Sequence, residues 1–313
     1  MAILDAFLLE HTPGPTIELH PAVLDARAAL ARATSDLLAI PDGAALEREW
    51  SWSGPPGESD VRYGFYRVLE AFEAAAHAAA RSLDEAGIQR APASRLAAAA
   101  TQARWDLHGL LASLSDGESD ADPGGGEWTV RQTLAHIISA QRAYAWFTAW
   151  WLSRRDAPDF PERVPDDAVP GFPDESSEAP GSLADVRARL DTILDLAAGR
   201  LGGLDDDGLA ARARWSGFPV SVGFRLARWS SHLQEHTVQV EKTLGFIGRE
   251  LREVERLVRL VHRAYGRLEA TVFALPPAAL ETGGAASAAG RLNEAAAEAV
   301  RVAGEVRQIA TRG

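Results

Sequence analysis

The chain has 313 residues, 46% of them hydrophobic and 24% charged, with a formal net charge of -12 and no cysteine. That length allows about two domains with a substantial core, and the composition is that of a globular protein. The acidic balance argues against nucleic acid as the main partner, since phosphate binding needs clustered cations; the missing cysteines exclude disulfides, thiolate metal sites and a cysteine nucleophile.

The opening MAILDAFLLEHTPGP has no cationic n-region, and its apolar run is broken by Glu10 and Pro13, so it does not read as a secretory signal. No apolar stretch approaches the roughly 20 residues of a membrane span, and a cytoplasmic location without membrane contact is expected. Alanine, leucine, arginine and glutamate recur while β-branched runs are short, which predicts an all-α fold.

The first predicted helix runs from His20 to Leu38 and is closed by Pro41 and Gly43; SWSGPPG (Ser51 to Gly57) reads as a turn cluster. A second helix begins at Ser59 and ends near Leu83, before Gly87. A third opens at Pro92 and Ser94 and passes Trp105, His108 and Leu111 to Leu114. Ser115 to Gly126 is almost without apolar residues and predicts a flexible loop.

Glu127 to Arg155 is the clearest helix, with Thr129 as N-cap and Gln132 completing a capping box. Val130, Leu134, Ile137, Tyr144, Phe147 and Trp151 recur at helical spacing along it. Asp156 to Pro180, rich in proline and acid, predicts a long crossover loop covering the end of a bundle. Ser182 caps another helix that stops at Gly202 and Gly203. Turns follow at Asp205 to Gly208 and at Trp215 to Pro219, the latter with a short extended corner. Helices are then expected over Val220 to Gly248, Arg249 to Leu275 and Arg291 to Thr311. The arginines from Arg249 to Arg267 are interleaved with Glu250, Glu253 and Glu255, a pattern that suggests a solvated helix face.

His232 and His236 stand at i and i+4, so their imidazoles share a face, and they fall within the stripe Trp229, Leu233, Val240, Leu244. Two adjacent titratable groups in a core are costly unless paired or coordinated. A third histidine from a facing helix, His136, would complete three corners of a metal site with an open position, the arrangement a catalytic metal needs. Ala140 and Ala143 would leave space beneath an ion, with Phe147 as floor. Spacing alone is a weak motif, since HxxxH occurs by chance in helices and an interior histidine is more often a hydrogen-bonded core residue than a ligand. His11, His20, His77, His108 and His262 have no partner at ligand spacing and read as ordinary histidines.

Residues from about Leu96 to Gly248 resemble the DinB/YfiT-like family, through EWTVRQTLAHIISAQ (Glu127 to Gln141) and SHLQEHTVQVEKTL (Ser231 to Leu244). In the first, a tryptophan near the helix start precedes the histidine; in the second, HxxxH sits in the last helix. The resemblance implies an up-down-down-up four-helix bundle with His136, His232 and His236 as metal ligands. Three neutral imidazoles suit zinc or nickel, with iron, manganese or cobalt as alternatives. Related members include thiol S-transferases and mycothiol-dependent maleylpyruvate isomerases, so a low-molecular-weight thiol is an implied cofactor.

Helical phase adds Arg228, Gln239 and Tyr144 as candidates for catalytic or substrate contacts, Arg228 as a clamp for a carboxylate. Glu235, between the two histidines, should face away. The expected organisation is an N-terminal helical segment (1–90), the metal-binding bundle (91–248) and a C-terminal helical segment (249–313), the outer segments packing as a second, smaller bundle. The expected function is a metal-dependent transferase, isomerase or hydrolase acting on a small electrophile. A non-catalytic metal-binding or stress-associated protein is the alternative, and a homodimer is plausible through the surplus of aromatic residues.

Overall fold

The structure, a computed structural model, describes residues 3–12, 18–52 and 59–312. Its elements in chain order are α1 (Ile3–His11), α2 (Pro21–Leu38), α3 (Val61–Glu85), α4 (Pro92–Leu111), α5 (Asp116–Asp120), α6 (Val130–Ser153), α7 (Leu183–Leu201) and α8 (Asp206–Ala210). A hairpin of β1 (Arg212–Trp215) and β2 (Phe218–Ser221) follows, then α9 (Val222–Phe246), α10 (Glu253–Val272), α11 (Pro277–Glu281) and α12 (Ala288–Thr311). The fold is all-α apart from this one hairpin, among the described residues. No helix is long and apolar enough to cross a membrane.

Local chemistry sets the helix starts. Thr129 and Gln132 form the capping box of α6, Ser182 and Asp185 that of α7, and the Ser221 hydroxyl accepts from Phe224 N at the start of α9. Asp60 caps α3 in the same way, and His20 Nδ1 caps α2 ahead of Pro21. Hence the starts of α2, α6 and α7 lie within a residue or so of expectation.

Several connections differ from expectation. The predicted loop after α4 holds α5, because Ser115 and Glu118 make a capping box of their own. The turn at Asp205 to Gly208 is the first turn of α8, capped by Asp205, and α1 was not foreseen. Trp215 to Pro219 lies in a two-residue hairpin whose turn residues Ser216 and Gly217 both have positive φ, the type I′ pattern that matches strand twist. Helix α10 starts at Glu253, later than expected, and α12 at Ala288, earlier; Pro276 and Pro277 open α11. The turn cluster at Ser51 to Gly57 lies mostly outside the described residues.

Two apolar cores organise these helices. Helices α4, α9, α6 and α7 contact one another in that cyclic order around one of them, with Trp146, Trp150, Trp151 and Trp229 at its heart. Helices α6 and α7 are neighbours joined by the long crossover, the connection that an up-down-down-up order requires. Helices α2, α12, α3 and α10 close a second ring around Trp50, Phe65, Phe72 and Tyr265.

The rings meet along α4 and α10. Gly109 makes close approach possible, since a Cβ there would lie 2.8 Å from His262 Cβ and 3.0 Å from Arg259 Cα. Within the same junction the carboxylate of Glu269, fully buried, accepts from Arg27, Arg104, Thr101 and Tyr265, while Asp195 accepts from Arg27 and Arg104. A buried charge persists only when paired and hydrogen-bonded this fully.

Candidate metal centre

His136 lies in the second turn of α6, and His232 and His236 in the middle of α9, the helix that faces it. Both helices present these positions inward for the reason the apolar stripe gave: Leu134, Ile137, Trp229, Leu233 and Val240 are buried around them. The three rings converge. His232 Nε2 lies 3.3 Å from His136 Nε2 and 3.0 Å from His236 Nε2. Three nitrogens each about 2.0–2.1 Å from one ion would sit about 3 Å apart, so the observed separations fit a shared cation.

The other ring nitrogens decide what the convergent ones can do. His136 Nδ1 meets Glu175 Oε2 at 2.9 Å, and His236 Nδ1 meets Gln239 Oε1 at 2.7 Å. Each contact places the proton on Nδ1 and turns a lone pair at Nε2 toward His232. A proton on His232 Nε2 could satisfy one of those lone pairs and never both; a divalent cation satisfies all three rings. His232 Nδ1 is buried without a partner among the described residues, so no further hydrogen bond among them prescribes its tautomer. Burial, reinforced by His236 and His136, pushes the His232 imidazole down to about 3, and burial lowers that of His236 despite Gln239. The His232 and His236 rings are therefore neutral at pH 7, the state in which imidazole ligates. These three residues are the group of histidine and acidic side chains, among the described residues, that could hold a metal.

Around the triad, Trp128 packs against His136 with ring centroids 5.1 Å apart, and Thr243 Oγ1 donates to Trp128 O, fastening the start of α6 to the end of α9. Tyr144 packs edge-on against His232 at 5.2 Å and is itself half-buried. Arg228 makes a bidentate pair with Glu235, at 2.7 and 3.0 Å, and also bonds Ser231 and Tyr144. Glu235 is exposed, as expected, and its carboxylate holds the Arg228 fork.

A cavity of about 460 Å³ adjoins the centre, lined by Ala143, Tyr144, Phe147, Trp151, Trp215 and Arg225 among others. Tyr144 is the wall common to the two. Arg225 borders this space, with Arg163 and Arg214 at its rim, and Arg228 does not. Arg225 donates to Arg214 O at 2.6 Å and to Thr148, has no carboxylate partner among the described residues, and is pushed down to about 10 by burial. Trp215, supplied by the hairpin, lies beneath both Arg225 and Arg228, with ring-to-guanidinium distances of 5.1 and 5.7 Å.

Residues 99–240 match the family model of the DinB superfamily. The match supports a DinB-like assignment for this part of the chain. No curated protein and no solved structure matches the chain. The matched DinB stretch contains α6, α7 and the larger part of α4 and α9, and so the whole triad; members of this superfamily often bind metal, and the triad here could hold one.

Three residues of the DinB bundle escaped sequence reasoning. Glu175 sits 39 residues from His136 in a crossover without periodicity, and no local signal pointed to it. Trp215 read as a turn residue. Arg225 did carry a signal: it precedes His232 by two helical turns and so shares its face, more closely than Arg228 does.

Proposed function

We propose that this protein is a metal-dependent enzyme that uses a low-molecular-weight thiol, of the mycothiol type, on a small electrophilic substrate. The observation that carries the reading is the set of three converging Nε2 atoms, two of whose rings are held at Nδ1 by Glu175 and Gln239, beside a cavity of about 460 Å³. His136, His232 and His236 would hold the ion, with zinc or nickel favoured by an all-imidazole set. When bound, such an ion is a Lewis acid able to lower the pKa of a water or thiol or to polarise a carbonyl.

The remaining chemistry belongs to the chain itself. Arg225 offers a guanidinium to an anionic group of a ligand in the cavity, while Phe147, Trp151 and Trp215 bury its apolar part. Tyr144, between the cavity and His232, holds its proton, because burial raises its pKa, and can donate a hydrogen bond to a reacting oxygen. Arg228 steadies the Tyr144 hydroxyl. Since the chain has no cysteine, a thiol nucleophile would come from a bound small molecule.

The test begins with metal analysis of purified wild type beside His232→Ala and His236→Ala. About one equivalent of divalent metal in wild type, lost in both variants, is expected; equal metal in all three overturns the ligand assignment. Thermal-shift measurements with mycothiol, bacillithiol and glutathione then address the thiol. A rise in melting temperature with one of them supports the reading, and no rise with any, in protein shown to hold metal, leaves the non-catalytic metal-binding reading in its place.

A further inference from the structure

Two buried histidines that play no part in the triad meet in a second cavity. It has a volume of about 530 Å³, within the range of small-molecule sites, and lies between α2, α4, α7 and α10 at the junction of the two rings. Trp105, His108 and His262 line it together with Leu30, Thr34 and Arg187. His262 is 2% exposed; its Nε2 is 3.0 Å from Thr34 Oγ1, and its buried Nδ1 has no partner among the described residues.

Arg187 has an unusual setting. Its Nε donates to His108 Nδ1 at 3.2 Å, and His108 Nε2 in turn donates to Asp191 Oδ1 at 2.8 Å. Both ring nitrogens of His108 are thereby used, so this histidine is a strut that aims Arg187 and not a base. The terminal nitrogens of Arg187 bond to nothing among the described residues, and it forms no ion pair there. The carboxylate that acts on Arg187 is that of Asp191, which lines the same cavity but is engaged by His108 and lies 3.4 Å from Arg104. A guanidinium fork with open donors, oriented by a relay and set beside an indole, matches the planar geometry of a carboxylate.

We propose that this cavity binds a small organic carboxylate with a ring or short acyl body, the carboxylate taken bidentately by Arg187 and the apolar part laid along Trp105 and Leu30. The site is separate from the triad and its cavity, and the inference does not depend on the function proposed above.

Calorimetric titration with benzoate, and with benzylamine as the cationic counterpart, tests it on the full chain. Wild type should bind benzoate and not benzylamine. Arg187→Gln should weaken benzoate at least tenfold, as should Ala188→Trp, which fills the rim from an exposed position of α7. Arg225→Gln, at the other cavity, should leave benzoate binding unchanged. Melting curves establish that each variant is folded, and Ala188→Trp carries the test if Arg187→Gln is not. No benzoate binding by wild type, preference for benzylamine, or loss confined to Arg225→Gln overturns the proposal.

Discussion

Glu175 and Gln239 do for the triad what its histidines cannot do for themselves: they choose which nitrogen of His136 and His236 carries the proton. Removing either frees a ring to rotate and to adopt the other tautomer. Glu175→Ala and Gln239→Ala are each expected to weaken metal affinity by about 10–100-fold without unfolding the protein, as read by competition with a chelator. Unchanged affinity in both variants would show that the outer contacts do not orient the ligands. Glu269 is the opposite case, a carboxylate with a structural task. Truncating it would remove the fully buried partner of Arg27 and Arg104 and leave both charges to Asp195, the other carboxylate they share. Glu269→Ala should cost about 3–5 kcal/mol in denaturant unfolding, and a cost below about 1 kcal/mol would mean that water enters the junction readily.

Helices α4 and α10 dock closely because glycine stands where their backbones meet. Gly109 on α4 faces Arg259 and His262, and Gly266 on α10 faces Trp105 Cβ at 2.9 Å. Gly109→Ala therefore should destabilise by about 1–3 kcal/mol, because overpacking outweighs the helix propensity gained. Gly304→Ala on α12 meets nothing within 4 Å and should stabilise by about 0.5–1 kcal/mol. Urea titrations of both variants check the contrast; equal effects would mean that α4 and α10 have room to separate. The hairpin works at the same scale. Its type I′ turn sets the register that pairs Trp215 with Phe218, and so delivers an indole to the cavity from a segment with no helical pattern.

At the scale of the molecule, the two rings meet along α4 and α10 and share a buried charge network, so unfolding one exposes the other. We propose the boundaries 1–90, 91–248 and 249–313 as topological units that unfold in one transition, which calorimetry and circular dichroism should report as coincident. Acid should weaken the whole. The join between α9 and α10 is held by Arg249, which reaches Glu255 at 2.9 Å and Glu118 at 2.6 Å; Glu255 is buried, so the stretch is anchored at its start, while Glu250, Arg252, Glu253, Arg256 and Arg267 are exposed to solvent. Burial opposes ionisation of Glu255, but Arg249, the Arg252 backbone and the Arg252 side chain override it and hold the carboxyl down to about 2, against its ordinary 4.5. Asp191, bonded to His108, is likewise held at about 2. A depressed carboxyl contributes its stability in full above the ordinary value and loses it as pH falls toward the folded one. The urea midpoint should thus fall between about pH 4.5 and 2, and Glu255→Gln should flatten that fall. An identical slope in the variant would assign acid sensitivity to other groups.

The sequence by itself determined the helices whose ends carry their own chemistry, such as α6 with Thr129 and Gln132, and the phase that turns His232 and His236 inward. It determined these because capping and helical periodicity act within a few residues. The pairing of His136 with them rested on a family likeness, and the structure supplied its distances. Only the tertiary structure decided that Glu175 meets His136, that Arg225 borders the cavity while Arg228 is taken up by Glu235, and that His108 and His262 face one space with Arg187. Those contacts join residues far apart in the chain, and no periodicity encodes a distance between helices; packing of the two rings along α4 and α10 sets it.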